Sequence, residues 1–342
     1  MYLWQIRHIP NSWRYFVSFS ALLGVSLMAV WAIGVGVQTA QGQGDAKASE
    51  KKNEPKPPDP AAILAATDFI KKVHESLYAH SSIKAEMEQS VSMGNQKFQV
   101  TGRYVSSGQK LRLEYTIPPD QGVAGSLLEI CDGKDLWSLM TVGDIKRVTH
   151  RDVEQIKAAA QGTRNVRDVV LTAELGLGGL TALMASFERT MIFEAMKEES
   201  GDDGPRIVVQ GKWKPEVVAY WPRSKDELLP PFAPDFVRIW IDPQTLFPVR
   251  ISYIKRVIEK DKKVYRPMVT LKFRNVEFES AINDEEFTFV NPPGVVPEDI
   301  TRQFLDRMKK SAEAGAAAAA AAAAAVAPVA KPAVDPAVPA KQ

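Results

Sequence analysis

Glu86 and Glu88 share one side of a strand-like stretch, a spacing that could host a general acid and base working as a pair. On the polar face of a sheet such a pair is ordinarily a solvated one. The single cysteine, Cys131, lies in the apolar run Leu127-Leu128-Glu129-Ile130-Cys131, where a small buried hydrophobe is the expected role. One cysteine excludes an internal disulfide framework and a cysteine-rich zinc site. His8, His74, His80 and His150 are far apart and form no metal-ligand pattern, so no metal and no cofactor are expected. The chain has no G-x-S-x-G elbow, no phosphate-cradling glycine loop and no H-E-x-x-H. Gly176-Leu177-Gly178-Gly179 is glycine-rich but follows no strand and carries no lysine; a hinge or a close helix–sheet contact is the better reading. Without a catalytic constellation, the expectation is a protein that is not an enzyme.

The elements that must position any site read clearly from periodicity. Ile63, Ala66, Ile70, Val73 and Leu77 recur at spacings of three and four and predict a helix over 61–79. After Ser81-Ser82 the period becomes two: Ala85, Met87, Gln89, Val91 and Met93 face one way, Glu86 and Glu88 the other. Further strands are marked by Phe98, Val100 and Tyr104, and by Leu111, Leu113 and Tyr115 alternating with Arg112 and Glu114. Asp132-Gly133 signals a hairpin between Leu127–Cys131 and Leu136–Met140. Asp152 to Ala160 reads as a short helix capped by Thr149. Leu177, Leu180, Met184, Phe187 and Met191 predict a second amphipathic helix. Strands resume at Ile207–Val209, Val237–Ile241, Val249–Tyr253, Val269–Phe273 and Val276–Phe278. This order predicts an α+β domain: one curved antiparallel sheet with helices on one face.

Four compartments follow from composition. Residues 1–42 carry a basic lead (Arg7, His8, Arg14) and 22 uncharged residues from Phe16 to Val37, read as an export signal or a retained membrane anchor. Its basic side holds the N-terminus in the cytoplasm, so the remainder lies outside. Residues 43–59 are a polar, Pro-rich linker, 60–310 the folded domain, and 311–342 an Ala/Pro-rich tether. Within 60–310 there are 35 basic and 35 acidic residues, and no segment concentrates the basic ones. A nucleic-acid partner is thereby excluded.

Two apolar surfaces stand out. One is a sheet face including Leu111, Leu113, Leu128, Ile130, Trp137 and Leu139; the other is the helix stripe Leu180, Met184, Phe187 and Met191. They either close on each other as an ordinary core or leave a cavity for an acyl chain.

Four motifs resemble those of the LolA-like family of periplasmic carriers and sorting proteins for outer-membrane lipoproteins. Leu111-Arg112-Leu113-Glu114-Tyr115 is similar to the family's F-R-W-x-Y, and Asp132-Gly133-Lys134-Asp135-Leu136-Trp137 to its D-G-K-x-L-W. Asp242-Pro243 with Phe247-Pro248-Val249 resembles D-P-x-T-x-x-P, and Phe287 to Val295 resembles the closing F-x-F-x-P-P-x-G-V. The resemblance spans roughly 61–166 and 237–296. It implies an unclosed antiparallel β half-barrel whose concave apolar face is covered by helices, with Leu111, Leu113, Leu128, Ile130, Trp137 and Leu139 lining or flanking a lipid cavity. Leu180, Met184, Phe187 and Met191 would form the lid. It further implies a monomeric carrier of lipid or acylated lipoprotein in the periplasm, fed by an inner-membrane export complex and discharged to an outer-membrane acceptor. A sensor or structural module that binds protein with the same half-barrel is the alternative. The chain departs from the family in having Ser107-Gly108 where the family has Arg-Pro, and in a longer middle section between Val166 and Val237. The family's arginine is implied to hold the lid closed; Lys110 and Arg112 are the nearby cations that could replace it.

Overall fold

Two antiparallel meanders share one sheet, joined where the first strand of the first meets the last strand of the second. In this computed structural model the described residues are 59–93, 96–117, 124–161, 179–201, 204–218, 229–231, 233–259, 262–306, 308–310 and 313. The N-terminal segment read as an export signal or anchor, most of the linker and nearly all of the tail lie outside them, as do Gly176 and Gly178.

Helix α1 (Pro60–Ala79) opens the fold. Asp59 accepts the Ala61 N–H at 3.0 Å and Pro60 occupies the first turn, where its missing donor costs nothing. The first meander comprises β1 (Ser82–Met93), β2 (Gln96–Ser107), β3 (Lys110–Ile117), β4 (Gly125–Cys131), β5 (Asp135–Val142) and β6 (Ile145–Asp152). Helix α2 (Val153–Gln161) and helix α3 (Gly179–Thr190) lie between the meanders. The second meander is β7 (Met191–Gly201), β8 (Gly204–Trp213), the turn of helix α4 (Pro215–Val218), β9 (Phe236–Ile241), β10 (Pro248–Glu259) and β11 (Lys262–Phe278). A 3₁₀ turn (Asp284–Phe287) and the two-residue β12 (Glu298–Asp299) complete it.

The strand order is β12-β6-β5-β4-β3-β2-β1-β11-β10-β9-β8-β7, and every pairing but β12–β6 is antiparallel. The terminal strands β12 and β7 do not pair, so the sheet is an unclosed half-barrel. Because β6 and β7 stand near opposite ends of it, the connection containing α2 and α3 has to traverse the sheet. Helices α1 and α3 pack together, and their apolar stripes share one core with the sheet's inner face. This is the expected α+β architecture.

Several local expectations are corrected. Residues 145–152 form β6, and the α2 cap is Asp152, whose carboxylate accepts the Gln155 N–H at 2.8 Å, rather than Thr149. Helix α3 ends at Thr190, and Met191 begins β7, a strand that helical periodicity alone conceals. The four-residue spacing survives to Met191, but pairing of β7 with β8 from Met191–Trp213 onward takes over the backbone hydrogen bonds. The segments 269–273 and 276–278 are one strand, β11, with a left-handed residue at Asn275 (φ +50°).

Candidate functional site

The inner face is defined by register. In β3 Leu111, Leu113 and Tyr115 point to it, and their partners Cys131, Glu129 and Leu127 in β4 point with them. Across β5 the same side carries Leu136, Ser138 and Met140. Toward the second meander it continues through Met87, Gln89 and Val91 to Phe273, Leu271 and Val269, then Ile251 and Tyr253. Leu111 and Leu113 are buried in the core shared with α1 and α3.

Leu128, Ile130, Trp137 and Leu139 are not on this face. Ile130 pairs with Trp137 and Leu128 with Leu139 on the opposite phase of the strands. Ile130 is buried against Val105 and Phe287, with Leu128 and Phe289 beside them, and Trp137 stacks on Phe289 at 5.1 Å between ring centroids. The run Leu127–Cys131 is apolar in both phases apart from Glu129, so alternation alone does not say which phase faces inward. The structure buries Glu129 completely: Ser138 donates to its Oε1 at 2.8 Å, and Arg151 donates to Ser138 at 3.3 Å. The signal for this arrangement was Phe287 and Phe289, two aromatics that needed an apolar partner outside the barrel.

Over the inner face lies α3, with α1 beside it. Leu180, Leu183, Met184 and Phe187 are fully buried toward the sheet. Met191, expected as a lid residue, is buried at the start of β7 instead. Among the described residues the polar attachments of this cover are few. Tyr104 on β2 accepts the Leu180 N–H at 3.2 Å, and burial pushes its phenol up from the ordinary value. Gly179 has φ +57° and its missing side chain would collide with the Tyr104 hydroxyl, so only glycine fits there. His74 on α1 pairs with Glu188 on α3 at 2.6 Å, joining the two helices. Neither Lys110 nor Arg112 reaches the lid. Both face outward, Lys110 to Asp284 at 2.6 Å and Arg112 to Glu114 and the Glu286 carbonyl.

Gln89 sits at the centre of the inner face. It is fully buried, and among the described residues neither its Oε1 nor its Nε2 has a hydrogen-bond partner. Cys131 is buried too, and burial raises its thiol pKa, consistent with a packing role. At the far end of the sheet, the Lys255 ammonium donates to the carbonyls of Leu229, Pro230 and Ala233 at 2.8–2.9 Å, tying the segment before β9 to β10.

The outer face is ionic. Arg103 binds Glu286 at 2.9 Å, and Arg112 contacts Glu114 at 2.5 Å. Burial opposes ionisation of Glu114, but the hydrogen bonds from Arg112 and Arg103 outweigh it and hold its carboxyl below the usual range. Glu88 meets Lys272 at 2.8 Å and Arg274 at 3.6 Å, in a shallow groove of about 350 Å³ that also contains Glu86. Among the described residues no three His, Cys, Asp or Glu side chains cluster as metal ligands, and no helix is long and apolar enough to cross a membrane.

Fold and site together define an open antiparallel half-barrel with a helix-covered apolar concavity. Among solved structures the chain is similar to LprF from Mycobacterium bovis (12% identity over 67% of this chain and 97% of that one, TM-score 0.34) and to a LolA superfamily protein from Nitrosomonas europaea (13%, 66% and 97%, 0.28). It is also similar to the MucA/MucB complex of Pseudomonas aeruginosa (10%, 66% of this chain and 61% of that one, 0.31). No family model matches the chain, and no curated protein matches it. At these scores the half-barrel assignment rests on the strand order and the two faces described above.

Proposed function

We propose that this protein is an envelope carrier that takes up acyl chains of lipids or lipoproteins on the concave face, beneath α1 and α3, for transfer toward the outer membrane. The observation that carries this reading is the inner face itself. It is an apolar surface running through both meanders, covered by helices, α1 and α3 among them, whose polar links to the sheet among the described residues are sparse. Lifting that cover exposes apolar surface that an acyl chain can re-cover, at a gain of about 0.8 kcal/mol per buried CH₂. Met87, Met184 and Met191 give this lining side chains that adapt their shape to cargo. The reading includes no catalytic step and no cofactor; Glu88 is engaged in ion pairs with Lys272 and Arg274. The apolar N-terminal segment supports export to the periplasm, either cleaved or retained as an anchor.

Native mass spectrometry of the full chain, isolated from an envelope fraction without detergent, tests this. A stoichiometric lipid or lipopeptide adduct is expected. A clean apo mass that takes up neither added phospholipid nor an added lipopeptide would contradict the carrier reading and favour a protein-binding module.

A further inference from the structure

Gln89 is the polar residue that the carrier reading leaves without an explanation. It lies on β1, between the two meanders, opposite Val100 of β2 on one side and Leu271 of β11 on the other. Met87 and Val91 flank it on the same face and are themselves buried. An amide stripped of water and given no partner destabilises the fold relative to an apolar side chain of the same size. Two other polar groups on this face have partners: the Tyr104 hydroxyl accepts the Leu180 N–H, and Oε1 of Glu129 accepts from Ser138. Gln89 keeps both a donor and an acceptor in reserve, at the centre of the surface where cargo would lie.

We infer that Gln89 is the polar anchor of the cargo site and that it selects acyl chains joined by an amide to an amino-acid residue. The inference rests on the carrier reading and deepens it. In an extended N-acylated residue, the N–H of the acyl linkage and the following carbonyl point to the same side. A primary amide answers both at once: Oε1 accepts the N–H and Nε2 donates to the carbonyl. An ester linkage offers no N–H and leaves Oε1 unpaired. A free fatty acid would bring a carboxylate into an apolar site, which is costlier still. Selection therefore arises because the wrong cargo leaves a buried polar atom unsatisfied, a stronger discriminator than shape.

The test compares N-hexadecanoylglycinamide with its ester analogue, in which oxygen replaces only the linking N–H, by calorimetric titration of the delipidated full chain. The wild-type chain is expected to bind the amide about tenfold more tightly. Gln89→Met, which conserves volume, is expected to bind both compounds alike and to unfold at a higher temperature without ligand. Equal affinities in the wild-type chain, or a preference that persists in Gln89→Met, would overturn the inference and leave the carrier reading standing. Binding of neither compound, nor of hexadecanoic acid, would overturn the carrier reading and this inference with it. The wild-type comparison needs no variant, so a folding failure of Gln89→Met leaves the test decisive.

Discussion

The two faces of the same strands are covered in opposite ways. On β3, Leu111, Leu113 and Tyr115 enter a core closed by helices, whereas Arg112 lies under the 3₁₀ turn, donating to the Glu286 carbonyl and pairing with its carboxylate, and Glu114 pairs with Arg112 beside it. The inner cover is broad and apolar and has few directional bonds to the sheet. The outer cover is narrow: Phe287 and Phe289 plug it, and ion pairs from Lys110, Arg103 and Arg112 fix its position. Apolar contact has no preferred register, so a cover held by it can separate and re-form around another apolar object. A cover held by matched charges is bound to one position. On the carrier reading proposed above, cargo would exchange beneath the inner cover, and the outer strap would stay in place.

The largest expected effect comes from putting charge on the inner side. Leu113→Glu should destabilise the fold by about 4 kcal/mol or more, because a carboxylate would replace a fully buried leucine. Arg112→Gln, one residue away on the outer side, should cost only about 1 kcal/mol in the same denaturant titration. Similar losses in both would erase the distinction between the faces.

Next comes the strap. Phe287→Ala should cost about 3 kcal/mol and remove hydrogen-exchange protection around residues 282–289, with lipid uptake unchanged. A loss of uptake in this variant would mean that the two covers are coupled.

How much of this was legible in the sequence depends on how many phases of a strand were apolar. Leu111-Arg112-Leu113-Glu114-Tyr115 alternates cleanly, and its inner and outer residues could be read directly. Leu127–Cys131 is nearly apolar in both phases, so alternation could not choose between them, and long-range packing of Phe287 and Phe289 decides it. The lid stripe from Leu180 to Phe187 was readable because three- and four-residue spacing is specific to helices. Its end was not, since nothing local stops a helix at Thr190; β8 recruits Met191 from outside. Gln89 was placed on the correct side by periodicity, but its lack of a partner is a property of the tertiary structure alone.

Smaller effects concern the lid's attachment. Tyr104→Phe removes the acceptor for the Leu180 N–H and should cost about 1 kcal/mol, while speeding acyl-chain capture in stopped-flow fluorescence. Unchanged capture kinetics would show that this bond does not restrain the lid.

The smallest effect is that of acid on the strap. Glu114, Glu298 and Asp299 all have folded pKa values below their ordinary ones, Glu298 through the Arg147 hydrogen bond first and Asp299 through Thr301 first. The unfolded state therefore binds protons more tightly. The stability these groups contribute is present above the ordinary carboxylate range and is lost as pH falls through the lower, folded values. Exchange protection around residues 298–301 should fall below about pH 4, before that of Leu111 and Leu113 on the inner side of β3. Simultaneous loss would contradict the separation of the two covers.

The most direct test of cargo on the concave face is photo-crosslinking of the full chain with a fatty acid bearing a diazirine near its terminal methyl, followed by peptide mapping. The account predicts adducts on inner-face and lid residues such as Leu113, Val91, Leu271 and Met184. Adducts confined to Leu128, Ile130, Trp137 or Phe289 would place the chain outside the barrel and contradict it.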